Sequence, residues 1–203
     1  MLVDRSLTDL LEAFSSSDPT PGGGSASALA CAVGASLLIM VSRHRKTRSG
    51  SEENRAALQS AAAALVGLRR QLTDAIDADT AAYDLVVAAY KRRKDDPHAR
   101  TAAVQEALRT ATDVPLEVMR GAVRALEQAR VVAAHGYRSA ASDVLVAVAL
   151  LMAGAAGAGA NVDVNLDTVA DAVYRDAVRA DAQRLMEAAE RSAEAVESSL
   201  NET

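Results

Sequence analysis

The chain has 203 residues, half of them hydrophobic, with a formal net charge of −5, three histidines and one cysteine. That length is enough to bury a substantial core. The acidic balance argues against a general nucleic-acid binder, and the single cysteine excludes an internal disulfide or a Cys-rich metal centre. Ala, Val and Leu dominate the apolar half, Trp is missing and Phe14 is the only Phe, a set that favours closely packed helices over a sheet.

In chain order, Ser6-Leu7-Thr8-Asp9 reads as an N-cap with an acidic third position, opening a short amphipathic helix to about Phe14. The loop 15–24 contains Pro19-Thr20-Pro21-Gly22-Gly23-Gly24 and leads through Ser25 into a long apolar helix that ends near Val41. Two prolines fix an extended approach, three glycines leave backbone N–H groups unobstructed, and Ser25 is placed to cap the helix. Such a loop at a helix N-terminus can take an anion or a polar ligand group. Arg43-His44-Arg45-Lys46-Thr47-Arg48 forms a basic patch closed by Ser49-Gly50. A third helix runs from about Glu52 to Tyr90, with Leu58, Leu65, Leu68, Leu72, Ile76, Tyr83 and Val86 at helical spacing.

Lys91–Pro97 is a charged break, and a fourth helix runs from about Ala99 to Ala134, where Pro115 should kink or interrupt it. His135-Gly136 should stop that helix, glycine taking a left-handed closing conformation. A fifth helix spans roughly Asp143–Ala158, with Gly154, Gly157 and Gly159 allowing close approach of another backbone and then weakening the helix end. Asn161–Leu166 alternates briefly, and Asp167 opens a last amphipathic helix to about Ser199, whose Glu187, Glu190, Arg191, Glu194 and Glu197 face solvent. The expected architecture is an all-α bundle of about six helices in one domain, residues 1–203, two of the helices being apolar and rich in small residues.

Residues 19–42 and 144–162 are long uncharged runs, yet their Ala, Gly and Ser insert poorly into bilayers, so they read as buried helices rather than membrane spans. Met1–Arg5 lacks the basic and apolar regions of a signal peptide, and the protein is expected in the cytoplasm. Cys31, inside the apolar run, reads as a small buried hydrophobe. No His, Cys or carboxylate spacing suggests a metal site, and His44, His98 and His135 receive no role.

Five motifs stand in one order: Pro19-Thr20-Pro21-Gly22-Gly23-Gly24-Ser25, Asp79-x3-Tyr83, Ala111-Thr112-Asp113-Val114-Pro115-Leu116, Ser142-Asp143, and Asn161-Val162-x-Val164-Asn165. In this order they resemble the cyclodeaminase/cyclohydrolase family of tetrahydrofolate enzymes, over about residues 6 to 190. The resemblance implies an all-helical homodimer that takes a reduced folate as its small-molecule partner. It also implies hydrolysis of 5,10-methenyltetrahydrofolate, or ring closure of formiminotetrahydrofolate with loss of ammonia. Neither reaction needs a metal or redox cofactor; the tetrahydrofolate derivative is the substrate.

Both reactions centre on an amidine carbon, where a carboxylate can deprotonate water or deliver a proton to the departing amine. Asp79 and Asp143 are the candidate catalytic acids. Asp143 also fits an ordinary N-cap or first-turn acid, whereas Asp79 among Ile76, Ala82, Tyr83 and Val86 is costly unless partnered. The resemblance further points to Pro21, Gly22, Gly23, Gly24, Ser25, Tyr83, Ser142, Asn161 and Asn165 as substrate contacts, and Tyr137 is a further candidate contact by its own chemistry. Arg43 and Lys46 suit a polyglutamate tail, though a solvated loop has the same composition.

The chain departs from the family pattern at three places. Arg43–Ser49 replaces an Asn-Leu-Thr-like segment and a Lys-Lys-Tyr-like element. Arg92-Arg93-Lys94 replaces Leu-Pro-Lys, and Tyr137 and Ser139 replace two asparagines ahead of Ser142-Asp143. Tyr137 and Arg138 suit a planar or anionic ligand, so a non-folate substrate in specialised metabolism and a catalytically silent helical dimer stay open as alternatives.

Overall fold

Ser6 opens the first of the six α-helices among the described residues: its Oγ accepts from the Asp9 N–H at 3.1 Å and donates to the Asp9 carboxylate. The helices of this computed structural model, which describes residues 1–92 and 97–201, are α1 (Leu7–Phe14), α2 (Gly23–Ser42), α3 (Glu52–Tyr90), α4 (Pro97–His135), α5 (Ala141–Leu166) and α6 (Ala172–Asn201). Short 3-10 turns at Leu2–Asp4 and Arg138–Ala140 complete the described elements. Ser51 caps α3 by accepting from the Asn54 N–H, with Glu52 and Glu53 complementing the helix dipole. Arg93 and Lys94, in the charged break, lie outside the described residues.

The expected helical bundle is present, with four local differences. Pro115 does not interrupt α4, which continues from Pro97 to His135. Proline cannot donate to the carbonyl four residues earlier, and here the Asn165 side-chain amide donates to that carbonyl, Ala111 O, at 2.7 Å. Gly136 does not take a left-handed conformation; that belongs to Gly50, with φ 74°. Gly136 is instead required by crowding, since a Cβ there would stand 2.4 Å from the Val132 carbonyl oxygen. The glycines of α5 do not end it, and 161–166 are helical rather than alternating. Asp167 closes α5 instead of opening α6, and it is Asp171 whose carboxylate accepts from the Tyr174 N–H at the start of α6.

Close approach explains those glycines. A Cβ on Gly154 would meet the Cys31 Sγ at 2.2 Å, one on Gly157 the Ser27 Oγ at 2.4 Å, and one on Gly34 the Ala147 carbonyl at 2.8 Å. These pairings run α2 and α5 antiparallel with their backbones nearly touching. Gly121 against Leu72 and Asn165 against Ala111 set the other directions: α2, α4 and α6 run one way, α3 and α5 the other. Leu58, Leu65 and Leu72 of α3 are fully buried with Leu38, Leu126 and Leu151, and each such side chain stabilises the fold by about 1.5–3 kcal/mol. Cys31 is buried as expected, and burial pushes its thiol up to about 12. Tyr83, by contrast, does not join the core and is exposed.

Candidate functional site

The glycine loop and Asp79 meet. The Thr20–Pro21 peptide is cis and Gly22 is the N-cap of α2, with no side-chain capping bond. Ser25 is therefore not the cap; it lies in the first turn. Its N–H donates to Asp79 Oδ2 at 2.8 Å, and its hydroxyl proton is shared between the Ile76 carbonyl at 2.9 Å and the same Oδ2 at 3.0 Å. A carboxylate from α3 thus occupies the positive end of α2, which resolves its cost among apolar neighbours. The Gly23 and Gly24 N–H groups bond nothing among the described residues. Of the three glycines, Gly24 has the strict steric requirement: a Cβ there would lie 2.0 Å from Asp79 Oδ1.

Asn161 adjoins this centre, its Nδ2 lying 3.4 Å from where a Gly23 Cβ would stand while it donates to the Gly157 carbonyl at 2.8 Å. Asn165 is one helical turn further, committed through its amide to Ala111. Tyr83 follows Asp79 by one turn of α3. This end of the bundle therefore gathers Pro21 to Ser25, Asp79, Tyr83, Asn161 and Asn165.

A second group forms at the opposite end. The 43–50 loop folds back so that the Arg48 N–H donates to the His135 carbonyl at 2.9 Å, and the Arg55 guanidinium holds the carbonyls of His44 and Arg45. His44 stacks on Tyr137 at 4.8 Å between ring centres and 3° between planes, with Lys46 Nζ 5.3 Å from the Tyr137 ring. A hydrogen bond from Ser139 and the charge of Lys46 lower the Tyr137 pKa. Two of the departures from the family pattern, at 43–49 and at 137–139, are thus one packed unit. Ser142 is exposed, and Asp143 is half-buried in the first turn of α5, where its charge favours the helix dipole.

The sequence-predicted residues are therefore brought together as two groups and not as one. Asp143 and Asn161 are 18 residues apart on the straight run of α5, which is ~27 Å. Within one chain, Asp79 and Asp143 cannot both touch one reacting carbon.

A groove of about 570 Å³ lies between α3 and α4, lined by Asp74, Ala78, Asp113, Glu117, Val118 and Arg124 among others. Asp113 stands in one of the quoted motifs and accepts from the Tyr174 hydroxyl at 2.7 Å. Burial and that bond raise the Tyr174 pKa, and Arg109 lies 5.0 Å from its ring centre. The motif was a signal for Asp113; nothing in the sequence marked Tyr174 as its partner. The His44–Tyr137 stack was equally silent, being a contact across 93 positions.

Residues 6–184 match the family model of formiminotransferase-cyclodeaminase. The chain is 37% identical over 179 residues to methenyltetrahydrofolate cyclohydrolase of Methylorubrum extorquens, covering 87% of this chain and 86% of that protein. It is 31% identical over 202 residues to formimidoyltransferase-cyclodeaminase of Rattus norvegicus, covering 98% of this chain but spanning only 37% of that longer protein. The crystal structure of formiminotetrahydrofolate cyclodeaminase from Thermotoga maritima matches the fold with a TM-score of 0.90 at 25% identity, over 98% of each chain.

Proposed function

This chain belongs to the formiminotransferase-cyclodeaminase family, and on that premise we propose that it is a folate enzyme of one-carbon metabolism, a cyclohydrolase that converts 5,10-methenyltetrahydrofolate to the 10-formyl derivative. Water adds to the amidinium carbon and gives up one proton to the carboxylate; the bond from that carbon to N5 then breaks as the remaining hydroxyl proton leaves and the formyl C=O forms, N5 takes up one proton and one proton is released overall. The observation that carries the reading is the Asp79 carboxylate, fixed by two donors of Ser25 and laid against the bare backbone of Gly24. Oδ2 is committed to α2, which leaves Oδ1 to take a proton from water and to sit beside the cationic amidinium. The Gly23 and Gly24 N–H groups supply donors for the substrate at the same helix end. The groove between α3 and α4, whose lining reaches Ala78 next to Asp79 in the chain, sets Asp74, Asp113 and Glu117 against Arg124, a net negative wall that suits a planar cationic ring system.

The fold shared with the Thermotoga maritima cyclodeaminase favours ring closure of formiminotetrahydrofolate as the second reading. There N10 attacks the formimino carbon and a carboxyl proton leaves with the ammonia. Both reactions balance without a metal or redox cofactor, and the protein works in the cytoplasm as a homodimer. The decisive experiment follows the loss of 5,10-methenyltetrahydrofolate absorbance with wild type, Asp79→Asn and buffer. Acceleration by wild type that Asp79→Asn abolishes is the expected result. A rate equal to the spontaneous one rejects the cyclohydrolase reading, and full activity in Asp79→Asn removes Asp79 from the chemistry.

A further inference from the structure

We propose that Asp113 is the carboxylate that reads the amino-pyrimidine edge of the substrate ring, and that Tyr174 is the positioning residue that aims it; both rest on the folate reading above. Asp113 lines the groove between α3 and α4, yet the arginines one and two turns away on its own helix face other acids. Arg109 reaches Asp171 at 2.5 Å, and Arg120 reaches Glu117 at 2.5 Å and also Asp181. Asp113 accepts instead from the Tyr174 hydroxyl, at 2.7 Å on Oδ1. Its Oδ2 and the second lone pair of Oδ1 are left for a ligand.

Tyr174 is fixed at both ends. Its N–H donates to Asp171 Oδ1 at 3.1 Å, its ring lies 5.0 Å from the Arg109 guanidinium, and the other Asp171 oxygen holds that guanidinium. The circuit joins one turn of α4 to the first turn of α6. Its hydroxyl also points to the Arg109 carbonyl, but at 3.4 Å, so the shorter bond to Asp113 prevails. Burial and that bond raise the phenol pKa, which keeps it a donor at neutral pH. A neutral phenol orients the carboxylate without cancelling its charge, as a salt bridge would.

The carboxylate also stands where the far edge of a ring held at Asp79 would arrive. Leu72 of α3 packs against Gly121 of α4, and the helices run antiparallel, which sets Asp79 about level with Val114. Neighbouring helix axes lie about 8–10 Å apart, a gap of the size of a fused bicyclic ring. The arriving edge of a pterin carries a ring N–H beside an exocyclic amino group, two donors side by side, and an ionised carboxylate accepts both. Of the other charged groups in the groove, Glu117 is paired with Arg120, and Arg124 donates to the Gln71 side chain at 3.3 Å. Asp74 is the remaining acid of the groove.

Pterin and lumazine test this on the full chain. They share one ring system and differ at one position, an amino group in pterin and a carbonyl oxygen in lumazine. The chain has no Trp, so the fluorescence anisotropy of each ring reports its own binding. Wild type should bind pterin about tenfold tighter than lumazine or better, because the carbonyl sets an acceptor against the carboxylate. Asp113→Ala should bring that ratio to about one, and Tyr174→Phe, which keeps the ring beside Arg109, should lower it about threefold. In the Asp113→Ala background Tyr174→Phe should change the ratio no further, since nothing is left to aim. With 5,10-methenyltetrahydrofolate, Tyr174→Phe should raise KM about threefold and leave kcat unchanged, the edge being bound alike in ground and transition states. A merely structural Tyr174 would weaken both rings equally. Wild type without a preference for pterin, a ratio untouched by either substitution, or one lost in Asp74→Ala and kept in Asp113→Ala overturns the inference. Wild type that selects pterin but does not hydrolyse the methenyl compound rejects the proposed reaction and leaves the inference standing. Hydrolysis with KM and ratio both unmoved in Tyr174→Phe does the reverse.

Discussion

Replacing Gly24 with alanine strikes the joint between α2 and α3 most directly. At an ordinary helical position this change stabilises by roughly 0.5–1 kcal/mol, because alanine loses less backbone freedom on folding. At Gly24 the new Cβ would stand 2.0 Å from Asp79 Oδ1 and 2.6 Å from its Cγ, so the carboxylate has to leave. Leaving breaks its bonds to the Ser25 N–H and hydroxyl, at 2.8 and 3.0 Å. A hydrogen bond to a charged group contributes about 1.5–3 kcal/mol, and removing negative charge from a helix N-terminus costs about 0.3–2 kcal/mol. After the propensity gain, the expected net loss is about 2 kcal/mol. In a chain of this size that lowers Tm by about 4–8 °C. Thermal unfolding followed by circular dichroism measures it, with Gly67→Ala as the control, since a Cβ there meets nothing within 4 Å. Methenyltetrahydrofolate turnover should fall in Gly24→Ala and hold in Gly67→Ala. A Gly24→Ala protein with wild-type Tm and full turnover would refute the claim that this joint holds the site.

Asn165→Leu should cost about 1–3 kcal/mol in urea denaturation, because the Ala111 carbonyl loses its donor. In a Pro115→Ala background the restored N–H takes that carbonyl and the cost should largely vanish; equal costs in both backgrounds contradict the account. Asp181 ties α6 to Arg120 of α4, and Arg184 and Arg120 hold its carboxyl below its ordinary 3.8. A depressed folded-state pKa adds stability above the unfolded value that disappears as pH falls through the folded one. Asp181→Asn should therefore show its whole deficit at neutral pH and a shrinking one below 3.8, and a deficit independent of pH would be the wrong result. Alanine at Arg43, Arg45 and Lys46 together should raise the KM for polyglutamylated folate far more than for the monoglutamate. Equal loss for both would reject tail binding by the loop.

Local signals carried a long way in this chain. Ser6 and Ser51 mark helix starts because a side-chain cap is a bond within four residues, and the α3 stripe from Leu58 to Ile76 is a period legible in any window. The order of motifs was enough for the family, because the glycine loop, Asp79-x3-Tyr83 and the two asparagines stand in register along the chain. What misled was local chemistry answered from a distance. Pro115 breaks a helix unless something else takes the Ala111 carbonyl, and that something is 54 positions away. Gly154 and Gly157 weaken an isolated helix, but against Ser27 and Cys31 they are the notches that let α2 lie on α5.

The candidate site shows the same division. Sequence by itself determined that Asp79 needed a partner, since an ionised carboxylate among apolar residues is costly alone. Only the tertiary structure decided that the partner is the N-terminus of α2. It also separated Asp79 from Asp143 by the length of α5 and joined His44 to Tyr137. Residue type and spacing register the need for a contact, whereas the antiparallel packing of long helices determines which ends meet.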